Sequence, residues 1–119
     1  MRFYIAGKWE EYELIGKYAA MITERGHEVT HAWYSTNVGP NISLMAASIA
    51  DLRGVMDADC CVFVFERKLP YSGAMSELGA ALALGKLIYV IGLGGAQNVF
   101  THHPNITSVT SFEELLEKL

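Results

Sequence analysis

The run Asp59 to Phe65, DCCVFVF, is apolar almost throughout, and Leu87 to Ile91, LIYVI, repeats that character. A strand that alternates apolar and polar residues has one wet face, whereas a strand without alternation must be covered on both. Two such strands therefore demand helices on either side of one sheet, and the neighbouring sequence supplies them. Residues 2 to 6, RFYIA, form a first β-rich run closed by Gly7; residues 10 to 25 then carry Tyr12, Ile15, Ala19 and Ile22 on one helical face, with Gly26 as the stop. A second strand is expected from His27 to Trp33, where alternation is loose, followed by a turn-rich loop, YSTNVGPN. Asn41 or Ser43 can cap the next helix, which runs to about Met56. A small-residue helix spans 71 to 86, YSGAMSELGAALALGK, a short strand spans Ile106 to Val109, and Ser111 with Glu114 forms a capping box for the closing helix.

Strands alternating with helices in this way argue for a parallel sheet wound on both faces with right-handed crossovers. The expected fold is α/β: one doubly wound domain over residues 1–119, with a five-stranded, mainly parallel, flavodoxin-like sheet in the order 2-1-3-4-5. Its crevice lies beyond the carboxyl ends of strands 1 and 3. The segments AGKW, carrying Gly7, Lys8 and Trp9, and ERKLPYSGAMSE become its walls.

Composition narrows the classes of function. With 119 residues, 51% of them hydrophobic, the chain is sized for one core, and no run approaches a bilayer span. The first apolar run is too short for a signal peptide, and adjacent Cys60 and Cys61 point to opposite faces of a strand, so a reducing cytoplasmic setting is expected. A net charge of −4 with nine scattered Lys and Arg provides no field for a nucleic-acid polymer.

Several familiar motifs fail on spacing. Gly79, Gly85 and Lys86 lack the spacing and the Ser or Thr of a phosphate loop, and GLGG at 92–95 lacks the third glycine of a dinucleotide fingerprint. His102 and His103 have no partners at metal-ligand spacing, so no metal site is expected.

Two carboxylates are harder to set aside. Glu77 reads either as a residue capping the first turn of its helix, held ionised by the helix dipole, or as an acid aimed into the crevice beside the amides of SGAMS. In the helix ending near Met56, the residues Met45, Ile49, Leu52 and Met56 are expected to face the core, with Leu44, Ser48, Asp51 and Val55 as the adjoining stripe. Asp51 would then be half-buried, either paired with Arg53 or kept protonated by its apolar setting. One ionised and one protonated carboxyl match the division of labour that breaks a glycosidic bond.

These residues resemble the nucleoside 2-deoxyribosyltransferase family and its nucleotide N-hydrolase relatives. The likeness runs through FYIAGKW (3 to 9), IADLRGVMDADCCVFVF (49 to 65), SGAMSELGAALALGK (72 to 86) and NVF (98 to 100). It implies that Glu77 is the nucleophile forming a covalent deoxyribosyl intermediate, that Asp51 is the proton donor to the departing base, and that Tyr4 orients Glu77. Ser72 and Gly73 would meet the sugar end, and Asn98 and Phe100 would reach into a neighbouring subunit's site, which implies a homodimer or higher homo-oligomer. No cofactor is implied. Many of the family's transferases carry an Asp where this chain has Tyr71, so a nucleoside and a 5′-nucleotide remain alternative substrates, with Lys8 and Ser72 available to a phosphate. Asn37 is the candidate polar contact to the base, with Trp33 or Tyr34 as a stacking surface. Transfer between nucleobases is the leading expectation; hydrolysis of deoxynucleoside 5′-monophosphates and a non-catalytic nucleotide-binding module are the alternatives.

Overall fold

The computed structural model describes residues 1–35, 43–67, 71–92 and 98–119. Five parallel strands, β1 (Arg2–Ala6), β2 (Glu28–Val29), β3 (Cys60–Val64), β4 (Leu87–Ile91) and β5 (Ile106–Val109), form one sheet in the expected order β2-β1-β3-β4-β5. Among the described residues four α-helices cover it: α1 (Tyr12–Glu24), α2 (Leu44–Asp57), α3 (Ser72–Ala83) and α4 (Phe112–Glu117). Among the described residues no helix is long and apolar enough to cross a membrane.

Strand periodicity divides the core cleanly in two. Phe3, Ile5, Cys60, Val62, Val64 and Ile91 pack on one face against Ile15, Ala19 and Ile22 of α1 and Phe112 and Leu115 of α4. Tyr4, Ala6, Cys61, Phe63, Ile88 and Val90 project from the opposite face towards Val55 of α2 and Ala74, Leu78 and Ala81 of α3. All five residues of β3 are buried, as its unbroken apolar run requires. Each fully buried Phe contributes about 1.5–3 kcal/mol relative to its exposed state. The adjacent thiols of Cys60 and Cys61 are both free, one on each face, and burial pushes each up to about 12.

Element ends follow local chemistry. The helix expected over 71–86 stops at Ala83, because Gly85 adopts φ +69°, a left-handed conformation that suits glycine. The amides of Gly85 and Lys86 then bond to the carbonyls of Leu82 and Ala81, closing the helix with a Schellman motif. Gly85 and Lys86 thus serve as a helix stop. Ser43 caps α2 through the Ala46 amide at 3.1 Å, whereas Asn41 lies outside the described residues. Ser111 caps α4 at the Glu114 amide, and the Glu114 carboxylate returns to the Thr110 amide, one residue earlier than a standard box.

Two expectations are corrected. The second strand covers Glu28–Val29 instead of His27 to Trp33. After Thr30 donates to the Phe3 carbonyl at 2.8 Å, the Trp33 indole N–H takes the next outward carbonyl of β1, that of Ile5, at 2.6 Å. A side chain thereby occupies the acceptor that a longer ladder would need. In α2 the expected core stripe faces outward: Met45 is 74% exposed, Ile49 and Met56 60%, and Leu44 of the neighbouring stripe 91%. The inward face consists of Ala47, Asp51, Gly54 and Val55. Gly54 explains the choice, since a Cβ there would lie 2.7 Å from the Tyr4 ring and 3.0 Å from His31 Cβ. The helix approaches the sheet by its smallest face, and its largest apolar side chains are left outside.

Candidate active site

A cavity of about 220 Å³ opens at the carboxyl ends of β1 and β3, where the strand order reverses. Its floor is Tyr4 on β1. Gly7 and Trp9 come from the β1–α1 connection, His31 and Trp33 follow β2, Ala47 and Asp51 come from α2, and Gly73, Ala74 and Glu77 come from α3. Tyr4, Asp51 and Glu77, the three residues for which the resemblance implies catalytic roles, are brought together here.

The Tyr4 hydroxyl donates to Glu77 Oε1 at 3.0 Å. Burial, with the Glu77 and Asp51 charges beside it, holds the phenol far above its ordinary range, so Tyr4 remains a donor at any working pH. Gly54 makes this geometry possible by admitting the ring under α2, and the Gly54 carbonyl is itself bound by the Thr30 hydroxyl at 2.8 Å.

Glu77 lines the crevice, as the second expectation has it, but not from the start of its helix. Helix α3 begins at Ser72, so Glu77 lies in its second turn, and the first turn contains no acid. The dipole has weakened by that point and no free amide caps the carboxylate. Burial therefore dominates: with Asp51 adding to the effect and the Tyr4 hydrogen bond opposing it, Glu77 is pushed up to about 8. The capping reading is excluded, and so is the expectation that helix position keeps Glu77 ionised.

Asp51 is half-buried, and burial raises its carboxyl above the usual range. The partner that opposes this shift is His31, not Arg53: His31 Nε2 lies 3.4 Å from Asp51 Oδ1. Sequence reading missed His31, a single histidine in the loosely alternating stretch after β2. Its only signal was its place just beyond the carboxyl end of a strand adjoining the crevice. Gly54 was missed too, since a glycine within a helix gives no hint of the ring it admits.

Aromatic side chains build the outer wall. Trp9 stacks on Tyr12 with centroids 5.2 Å apart and lies 6.4 Å from Trp33, which meets Tyr34 edge-on at 5.9 Å. This wall is an aromatic surface on which a flat ring could stack.

Other predicted site residues are placed apart from the cavity lining. Lys8 lies in the loop between Gly7 and Trp9, and Ser72 is the exposed first residue of α3, next to the lining Gly73. Asn98 Oδ1 accepts from the Phe100 and Thr101 amides at 2.8 and 3.3 Å, and its Nδ2 reaches Met75 Sδ. Phe100 is exposed. Neither residue lines the cavity. Asn37 lies outside the described residues. Among the described residues no cluster of three or more His, Cys, Asp or Glu side chains is arranged to hold a metal ion.

No family model matches the sequence, and no curated protein matches it. Solved structures do. The chain is similar to the CMP N-glycosidase BcmB of Clostridium botulinum, with a TM-score of 0.70, 20% identity, and coverage of 99% of this chain and 97% of that one. It is similar to a 2-deoxyribosyltransferase of Bacillus psychrosaccharolyticus, with a TM-score of 0.74, 17% identity, and coverage of 97% and 90%. A conserved protein of Enterococcus faecalis V583 gives 0.72 at 15% identity, covering 98% and 95%. The resemblance read from the sequence is met at the level of fold: the chain shares, over nearly its whole length, the fold of an N-glycosidase and of a 2-deoxyribosyltransferase.

Proposed function

We propose that the protein cleaves the N-glycosidic bond of a 2′-deoxynucleoside with retention and transfers the 2-deoxyribose to a second nucleobase. The observation that carries this reading is the hydrogen bond from Tyr4 to Glu77 at the floor of a cavity that also holds Asp51. In the first step the Glu77 carboxylate attacks C1′, the C1′–N bond breaks with its electron pair going to the base nitrogen, and Asp51 supplies the proton. In the second, Asp51 removes a proton from the incoming base, whose nitrogen displaces Glu77 from C1′. Tyr4 holds Oε1 so that the other oxygen faces the sugar, and His31 orients Asp51. Burial favours a proton on Glu77 at neutral pH, so the attack requires that proton to rest on Asp51 instead, an exchange open to two acids that are both raised by burial and line one cavity.

A second reading, hydrolysis of a deoxynucleoside 5′-monophosphate with water as acceptor, is favoured by one observation. Position 71 carries a tyrosine whose hydroxyl is bound to Glu11 and not an acid free to meet a sugar hydroxyl. Lys8 and Ser72 would then serve the phosphate.

The exposed stripe on α2 supports a homodimer. Leu44, Met45, Ile49, Leu52 and Met56 run along a helix about 21 Å long, and a self-complementary apolar face of that kind suits a two-fold contact. In such an assembly Asn98 and Phe100 of one protomer would complete the partner's site. Ile49→Asp is expected to convert a micromolar dimer to monomer in sedimentation velocity; an unchanged dimer contradicts the use of this face.

Chromatography of products from deoxyadenosine or its 5′-monophosphate, each with and without cytosine, tests the reaction. A deoxycytidine product supports transfer. Adenine from the monophosphate alone supports the hydrolase, and binding without base release supports a non-catalytic module.

A further inference from the structure

Glu11 carries a carboxylate that is buried outside the cavity. Its side chain is 1% exposed, at the end of the 3-10 turn Trp9–Glu11 that joins β1 to α1. A carboxyl group buried this fully needs donors in place of its water. Those donors come from the connection between β3 and α3. The Tyr71 hydroxyl donates to Glu11 Oε1 at 2.9 Å, and Arg67 Nε lies 3.7 Å from Oε2. The Tyr71 oxygen also accepts from the Arg67 amide at 3.2 Å, and its ring sits against Phe65 with centroids 5.0 Å apart. Burial and the Glu11 bond keep the phenol protonated, with its ionisation pushed up to about 12.

Both ends of this link lead directly into the cavity. On one side, the Glu11 amide bonds the Lys8 carbonyl at 2.9 Å and so folds the turn that carries Trp9. On the other, Tyr71 precedes the first residue of α3, and its carbonyl accepts the first helical bond, from Met75. Gly73 and Ala74 follow immediately. We infer that Tyr71 and Glu11 are positioning residues that strut the β1–α1 wall of the cavity against the start of α3 and so set its width at the sugar end of the ligand. The Tyr71 hydroxyl is committed to this strut, which leaves backbone around Gly73 to meet the ligand. The ligand identity, though not the strut, rests on the function proposed above.

The test uses Tyr71→Phe and the pair Tyr71→Phe/Glu11→Leu, which also removes the orphaned charge and so protects folding. The only two tryptophans of the chain, Trp9 and Trp33, both line the cavity, so acrylamide quenching of their fluorescence reports the wall without any ligand. Quenching should rise in both variants, and Glu11→Gln, which keeps an acceptor for Tyr71, should resemble the parent. In the Glu77→Gln background, Kd for deoxyadenosine should rise about tenfold in Tyr71→Phe. In the active protein KM should rise with kcat within about threefold. Unchanged quenching and Kd, with only a lower Tm, would overturn the inference. If the parent bound neither deoxyadenosine nor its 5′-monophosphate, the functional reading would fail, and quenching alone would still decide the strut.

Discussion

The two faces of the sheet are built to different ends. Against α1 and α4 the packing is close and apolar: Phe3, Ile5, Ile15, Ile22, Phe112 and Leu115 are all fully buried, with aliphatic and aromatic neighbours. Against α2 and α3 the helices present small residues, Ala47, Gly54, Ala74 and Ala81, and the space they leave is occupied by Tyr4, Glu77, Asp51 and a cavity. The first face makes the fold stable, and the second gives up packing to hold two carboxyl groups partly out of water. Burial that would be wasteful elsewhere is what raises Glu77 to about 8.

The strongest way to sharpen this contrast is Glu77→Gln. It keeps the shape and the Tyr4 hydrogen-bond acceptor but removes the nucleophile, so base release should fall on the order of 10³-fold or more while the protein stays folded. Base exchange retained in Glu77→Gln would break the account. On the closed face, Ile22→Ala should cost about 2–5 kcal/mol in urea unfolding and leave kcat of the folded protein unchanged. A change in kcat without a loss of stability would mean the faces are not separable.

Gly54→Ala crosses from one property to the other. Its methyl group would meet the Tyr4 ring at 2.7 Å, so about 1–3 kcal/mol of overpacking is expected together with a loss in kcat/KM of about tenfold, as Tyr4 is pushed away from Glu77. Stability lost with full activity would show that Tyr4 does not position the acid. A pH slope tests the same face without any ligand. Glu77 binds its proton more tightly folded than unfolded, so the folded state holds more protons between about pH 4.5 and 8. Its stabilising contribution is complete below the unfolded value and is lost as pH rises to about 8. Urea titrations at pH 5, 6.5 and 8 should show this decline in the wild type and a flatter profile in Glu77→Gln; equal slopes would contradict it.

Much of this architecture was legible in the chain. Unbroken apolar runs in β3 and β4 specify a sheet covered on both faces, and Gly26 marks a helix end that the structure places there, whereas the expected third helix runs through Gly85, which in fact ends it. That Tyr4, Asp51 and Glu77 share one crevice was legible, but the electrostatics there were not. Whether Glu77 caps a helix depends on a boundary a few residues away, and periodicity does not fix boundaries that finely. The facing of α2 was misread because two stripes share one period; the choice between them was made by the Tyr4 ring, which needs Gly54 above it. His31 could not be assigned because its partner Asp51 is brought to it only by the packed α2.

The most direct measurement is mass spectrometry of the protein quenched and digested during turnover with deoxyadenosine, or with its 5′-monophosphate if only that releases base. The account predicts a 2-deoxyribosyl or phosphodeoxyribosyl adduct on the peptide containing Glu77, absent in Glu77→Gln. Base release with the adduct on another residue, or with no adduct while a direct-displacement product of inverted configuration accumulates, would contradict it.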